Sequence, residues 1–225
     1  MSNPQSRYAV VGLGRFGIRL ARHLADAGAE VIAVDQDAGL VEEIRDHVTL
    51  AVVLDATDEA ALVAQGLDKV DAAIVGIGAN FEAACLATSI LKRLGVPRVI
   101  SRATNRARGE ILSRIGADEV INPEAEAAER WAERLAMPHI IEKIDLGQSH
   151  SLVQIRSPDS WAGRTLEQLN VRKKHKVNVV AIRRLLIDRA GMYIIDMPMP
   201  DSRIEMGDLL FVVGANEDIA NLPTE

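Results

Sequence analysis

The residues with the clearest chemical capability are Gly12-Leu13-Gly14-Arg15-Phe16-Gly17. A G-x-G-x-x-G spacing between an apolar run and an amphipathic segment is what a backbone needs to hold a pyrophosphate. Gly12 permits a tight turn out of a strand. Gly14 has no Cβ to keep a phosphate off the backbone, and Gly17 lets the following helix pack closely on the strand. The first amides of that helix have no partners within it and lie at the positive end of its dipole, so a phosphate is stabilised there. An acid about 20 residues further on accepts from ribose hydroxyls, and Asp35 closes the next apolar run, Val31-Ile32-Ala33-Val34. A carboxylate repels a 2′-phosphate, so Asp35 favours a free ribose 2′-hydroxyl, a condition that ATP, ADP and NAD all meet. The competing reading is a glycine-rich turn in some other α/β protein; strand, loop, helix, strand and acid arriving in order weigh against it.

Other residues carry two readings each. Arg15, inside the loop, is either a ligand for a terminal phosphate or for an acid on a neighbouring subunit, or a solvated arginine at a helix start. Asp55 and Thr57 are sufficiently explained by helix capping, while Asp55 can also accept from an adenine amine. Gly76 and Gly78 are turn glycines or let a ring lie against the backbone, and Arg102 binds phosphate or forms an ion pair at the sheet edge. Glu124 follows Pro123 at a helix start, where an acid complements the helix dipole. Its functional reading is a divalent-cation ligand beside bound phosphates, since hard cations take carboxylate and phosphate oxygens; on the residue alone the dipole reading is preferred. The basic run Arg172-Lys173-Lys174-His175-Lys176 reads as a solvated turn first and an anion site second. The five histidines show no metal spacing, none stands beside a catalytic acid, and no serine or cysteine nucleophile motif is present. The expectation is a nucleotide site without catalytic machinery, hence not an enzyme. The alternatives are a small NAD-dependent oxidoreductase and a soluble nucleotide sensor.

The elements that must position these residues alternate regularly. Strands are expected at Tyr8 to Val11, Glu30 to Val34, Leu50 to Leu54, Ala72 to Val75, Arg98 to Arg102 and Glu119 to Ile121. Helices are expected between them and, last, from Glu124 to Leu135. Crossovers of this length imply parallel pairing with right-handed connections, and so an α/β, Rossmann-like doubly wound sheet in the order 3-2-1-4-5-6. Ligands bind such sheets beyond the carboxyl ends of the strands, where the glycine loop, Asp35, Asp55, Gly76 to Asn80, Arg102 and Glu124 all fall. The last helix carries an apolar stripe, Ala125, Ala128, Trp131, Ala132 and Leu135, which either covers its own sheet or crosses to a partner subunit. After Met137-Pro138 the pattern changes to short strand-like runs, Ser151 to Arg156, Asn178 to Arg183, Met192 to Asp196 and Asp208 to Gly214, with a short helix over Thr165 to Lys174. The expected division is residues 1–140, binding nucleotide, and residues 141–225, a small mixed domain.

Composition bounds the function. The 225 residues are 48% hydrophobic and only 3% aromatic, so aliphatic side chains must fill the core, as in parallel strands covered by helices. A net charge of -6 argues against nonspecific nucleic-acid binding, which needs a basic face. The single cysteine, Cys85, rules out an intrachain disulfide and reads as a small core residue. Residues 1–6 read as a disordered start, with no signal peptide in the polar Met1 to Gln5. No apolar run approaches the roughly 20 residues of a membrane span, so the expected compartment is the cytoplasm.

Several motifs together resemble RCK (regulator of potassium conductance) domains. They are Val10 to Gly17, Val34-Asp35, Asp55-Ala56-Thr57-Asp58, Gly78-Ala79-Asn80 and Gly116 to Glu124, then Gly163-Arg164-Thr165-Leu166, Asn178 to Arg184 and Gly207 to Gly214. The order across both domains is similar to the regulatory subunits of Ktr/Trk potassium uptake systems. The resemblance implies a small α+β C-terminal subdomain and a homo-oligomer, dimers assembling to an octameric gating ring. It also implies a membrane potassium-transporter subunit as partner, at the inner face of the cell membrane. It implies ATP or ADP as ligand, NAD(H) in some members, and a change of ring shape that controls the pore. By position, Gly12, Gly14 and Gly17 with Arg15 and Phe16 surround the phosphates, and Arg15 senses a terminal phosphate. Asp35 binds ribose. Asp55, Ala56, Thr57, Gly78 and Asn80 lie toward the base, Arg102 toward phosphate, and Glu124 binds a cation. The apolar Leu185-Leu186-Ile187 stands where a polar hairpin is usual, which weakens any carry-over of cyclic di-AMP binding to the C-terminal subdomain.

Overall fold

The structure is a computed structural model that describes residues 6–137, 139–185 and 193–223. Leu186, Ile187, Met192 and the polar start Met1 to Gln5 lie outside the described residues. The chain forms two compact units, Met1–Ala127 and Ala128–Glu225.

The first unit alternates strand and helix: β1 (Arg7–Val11), α1 (Arg15–Asp26), β2 (Glu30–Asp35), α2 (Ala38–Ile44), β3 (Leu50–Val53), α3 (Glu59–Ala64), β4 (Ala72–Val75), α4 (Phe81–Arg93), β5 (Arg98–Arg102), α5 (Arg106–Ile115) and β6 (Glu119–Ile121). The six strands form one parallel sheet in the order β3-β2-β1-β4-β5-β6, the doubly wound order expected. Strand alternation sends Ala9, Val11, Ile32 and Val34 to one buried face, and Val10, Val31, Ala33 and Ile74 to the other. Helices cover both faces, which is why the strands read as unbroken aliphatic runs.

The helix α6 (Pro123–Ala136) runs past the division between the units. Its start is built locally: the Asn122 side chain accepts from the Ala125 amide (3.1 Å), and Glu126 accepts from the Asn122 amide (3.1 Å). Trp131 is 53% exposed and Leu135 72%. The reading in which this stripe covers its own sheet is therefore corrected: those two side chains lie open.

The second unit contains β7 (Ile140–Asp145), β8 (His150–Arg156), α7 (Leu166–Leu169), α8 (Val171–His175), β9 (Asn178–Leu185), β10 (Tyr193–Asp196), β11 (Leu209–Ala215) and α9 (Asn216–Ala220). Its sheet is antiparallel, in the order β10-β9-β11-β8-β7. Val153, Ile155, Leu210 and Val212 meet Trp161, Leu169 and Ile204 in a single core. The helix expected over Thr165 to Lys174 is two short ones. Thr165 opens the first with a capping box to Gln168, and Asn170 breaks it at φ 50°. The β7 strand was not expected; it is an edge strand carrying Glu142, Lys143 and Asp145 among its isoleucines.

Candidate functional site

The glycine loop leaves β1 in a geometry only glycine adopts freely. Gly12 has φ +94°, in the region that costs any residue with a Cβ, and its amide donates to the Val34 carbonyl at 2.8 Å. Gly17 is buried in the first turn of α1, and a Cβ there would strike the Gly12 carbonyl oxygen. Turn and helix therefore touch backbone to backbone. Gly14, at the helix cap, has open space where a Cβ would stand, and no side chain caps the helix. The unclaimed first-turn amides of α1 thus face a clear approach, the condition for holding an anion.

The next strand supplies a fixed carboxylate. Asp35 ends β2; its Oδ2 accepts from the Leu13 amide at 2.6 Å and its Oδ1 from the Asp37 amide at 2.9 Å. Two amides hold the group in one orientation, and each oxygen retains acceptor capacity for a ligand hydroxyl. Beyond β3, Asp55 accepts from the Thr57 amide (2.9 Å) and then from the Thr57 hydroxyl (2.8 Å). These bonds, the amide first, hold its carboxyl below the usual aspartate range. Capping does not account for either residue: Asp58 caps α3 by accepting from the Ala61 amide (3.1 Å). Asn80 caps α4, accepting from the Ala83 amide at 3.1 Å.

At the far end, the Arg102 guanidinium pairs with the Glu124 carboxylate. Burial pulls the Glu124 carboxyl upward, but its own backbone amide, Arg102 and the charge of Arg15 outweigh that and hold it below the ordinary glutamate range. Arg102 lies across the loop after β4, where a Cβ on Gly78 would meet the guanidinium. The Nε of Arg102 is buried without a hydrogen-bond partner among the described residues.

These groups enclose one cavity of about 530 Å³. Of the residues singled out from the sequence, Gly12, Gly14, Arg15, Phe16, Asp35, Asp55, Ala56, Gly78, Asn80, Arg102 and Glu124 line it. Gly17 and Thr57 do not; they support Gly12 and Asp55 from behind. Sequence reasoning missed Gln36, Leu40, Leu54 and Ala83, which also line the cavity. Gln36 had a signal, its place next to the acid that ends β2. Leu40 and Leu54 had none, because they look like ordinary core residues. Among the described residues no three His, Cys, Asp or Glu side chains gather as a metal site. Glu124 alone offers a single carboxylate, a donor set suited to a Mg²⁺-type cation only when phosphate oxygens complete it. No helix among the described residues is long and apolar enough to cross a membrane.

Comparison with known proteins extends over both units. The TrkA-N domain family matches residues 8–123 and the TrkA-C domain family residues 151–222. The chain is 38% identical over 216 residues to Ktr system potassium uptake protein C of Bacillus subtilis (strain 168), covering 96% of this chain and 95% of that one. It is 34% identical over 221 residues to Ktr system potassium uptake protein A of Vibrio alginolyticus, covering 98% of each. Among solved structures, the GsuK channel bound to NAD superposes with a TM-score of 0.55 at 22% identity, over 97% of this chain and 38% of the channel chain.

Proposed function

Because this chain belongs to the family of TrkA-N/TrkA-C proteins that includes the Ktr system potassium uptake proteins, we propose that it is the cytosolic regulatory subunit of a potassium transporter. Its first unit binds ATP or ADP, and the nucleotide bound sets the state of a membrane partner. The observation that carries this reading is the convergence of the uncapped glycine-loop helix, the fixed Asp35 carboxylate and the Arg15–Arg102–Glu124 charges on one cavity. A terminal phosphate is what two guanidinium groups beyond a pyrophosphate site would read. NAD(H) is the second ligand reading, favoured by the NAD held in the GsuK channel, which has the same fold.

The proposed mechanism is a shift between two states. A ligand moves such an equilibrium only by its difference in affinity for them, so discrimination between ATP and ADP must come from groups near the terminal phosphate. Glu124 takes a divalent cation together with phosphate oxygens. The working form is a ring of identical chains, eight in all, docked beneath the pore-forming subunit at the inner face of the membrane. No reaction is assigned to the site; it reports the nucleotide without transforming it. The domain that reads nucleotide is proposed to be residues 1–140, followed by a C-terminal subdomain from 141.

Calorimetry of the full chain with ATP, ADP and NADH tests this. Arg15→Ala should narrow the gap between ATP and ADP while adenosine binding holds. Asp35→Ala should weaken all three by roughly 10- to 100-fold, the loss of hydrogen bonds to a charged acceptor. Unchanged affinities in Asp35→Ala would refute the ribose assignment.

A further inference from the structure

We propose that Arg102 and Glu124 form a latch across the phosphate end of the cavity: a ligand's terminal phosphate opens it by taking Arg102, and so releases Glu124. The latch rests on the nucleotide reading above and specifies how that site registers its occupant.

Three features of the site carry it. The first is the unfinished hydrogen bonding of Arg102. One terminal nitrogen donates to Glu124, while Nε is buried without a partner among the described residues. A guanidinium presents its donors as a planar fork, and a phosphate can engage two of them at once where the carboxylate here engages one nitrogen. The second is the unequal exposure of the pair, 17% for the Arg102 side chain and 58% for Glu124. On separation the carboxylate can pass to water, whereas the arginine would remain a largely buried, unpaired charge. The pair therefore opens when another anion replaces Glu124 and not otherwise. The third is placement. Arg102 ends β5 and lies against Gly78 in the loop after β4, inside the cavity that the glycine loop also lines. Glu124 stands in the first turn of α6, the helix that continues into the second unit. The partner of Glu124 is thus set by whether a terminal phosphate is present, at the start of the element that leaves the unit.

The test is a double-mutant cycle read by calorimetry on the full chain in EDTA, with ATP and with adenosine. In EDTA, Glu124→Gln should tighten ATP by roughly two- to fivefold, the range expected for a partly exposed ion pair. It should leave adenosine unaltered and have no effect on ATP in the Arg102→Gln background. An equal tightening in both backgrounds would mean that Glu124 acts through its charge alone; that overturns the latch and leaves the nucleotide reading standing. No ATP binding by the wild-type chain overturns the nucleotide reading and the latch together.

Discussion

The two units solve the same packing problem in different ways, and the difference locates the function. The first is a parallel sheet buried on both faces, with every strand running in the same direction. Parallel strands need crossovers, so all their carboxyl ends open on one rim and the loops there face one another. Six loops consequently bring glycine backbone, carboxylates and guanidinium groups to one cavity. The second unit is antiparallel, and successive strands leave the sheet at opposite ends. Its loops cannot converge in the same way. It gathers one core on one face, while Tyr193, Ile194 and Ile195 on its edge strand are exposed. Parallel topology concentrates chemistry here, and antiparallel topology supplies a separately stabilised module.

Substitutions can break that comparison. Gly17→Val in the first unit drives a branched side chain into the Gly12 carbonyl and should cost about 3 kcal/mol, with loss of nucleotide binding. The second unit's counterpart is Asp208, a 2% exposed carboxylate that accepts from Arg184 (2.8 and 2.7 Å) and from the Glu205 amide (2.8 Å). Asp208→Ala should cost about 2 kcal/mol, since it leaves the half-buried arginine and the amide without their acceptor. Nucleotide affinity should be unaltered. In thermal unfolding, nucleotide should shift the transition that Gly17→Val lowers and leave the one that Asp208→Ala lowers. One transition responding equally to both substitutions would show that the units do not melt separately.

Acid sharpens the contrast by a smaller amount. Burial holds the His139 pKa below the ordinary histidine value, so the unfolded chain takes up a proton there before the folded second unit does. Stability from this group is present above about pH 6.5 and is lost as pH falls from there toward the folded-state value. In the first unit the lowered carboxyls are Asp55, Asp118 and Glu124. Their contribution is held above about pH 4 and lost below it. The second unit should therefore begin to weaken at higher pH, and His139→Gln should remove that early loss. Unfolding midpoints measured from pH 8 to pH 3 report both limbs.

The legibility of the two units differs for physical reasons. β1 to β6 could be read because burial on both faces leaves an aliphatic run between turn residues, and the glycine loop could be read because each glycine has a steric cause. β7 escaped because an edge strand needs no continuous apolar face, and Glu142 and Lys143 interrupt its pattern. Asp55 carries both a capping and a base-binding reading because any Asp-x-Thr before a helix can cap it; the structure gives the cap of α3 to Asp58. Arg102 ends β5 and Glu124 opens α6; the expected strand order puts both on one rim and an ion pair is among the readings of Arg102, but which acid 22 residues away it takes is set by side-chain geometry that the strand order does not give. The stripe with Trp131 carries two readings, its own sheet or a partner subunit, because helical periodicity marks an apolar face without saying what covers it.

The most direct test of the central claim, a site that reads nucleotide without transforming it, is native mass spectrometry of the full chain with ATP, ADP and NADH in turn. The account predicts a multi-chain ring, eight chains at full assembly, carrying one unaltered adenine nucleotide per chain. Turnover of ATP or NADH, or a single chain with no bound nucleotide, would contradict it.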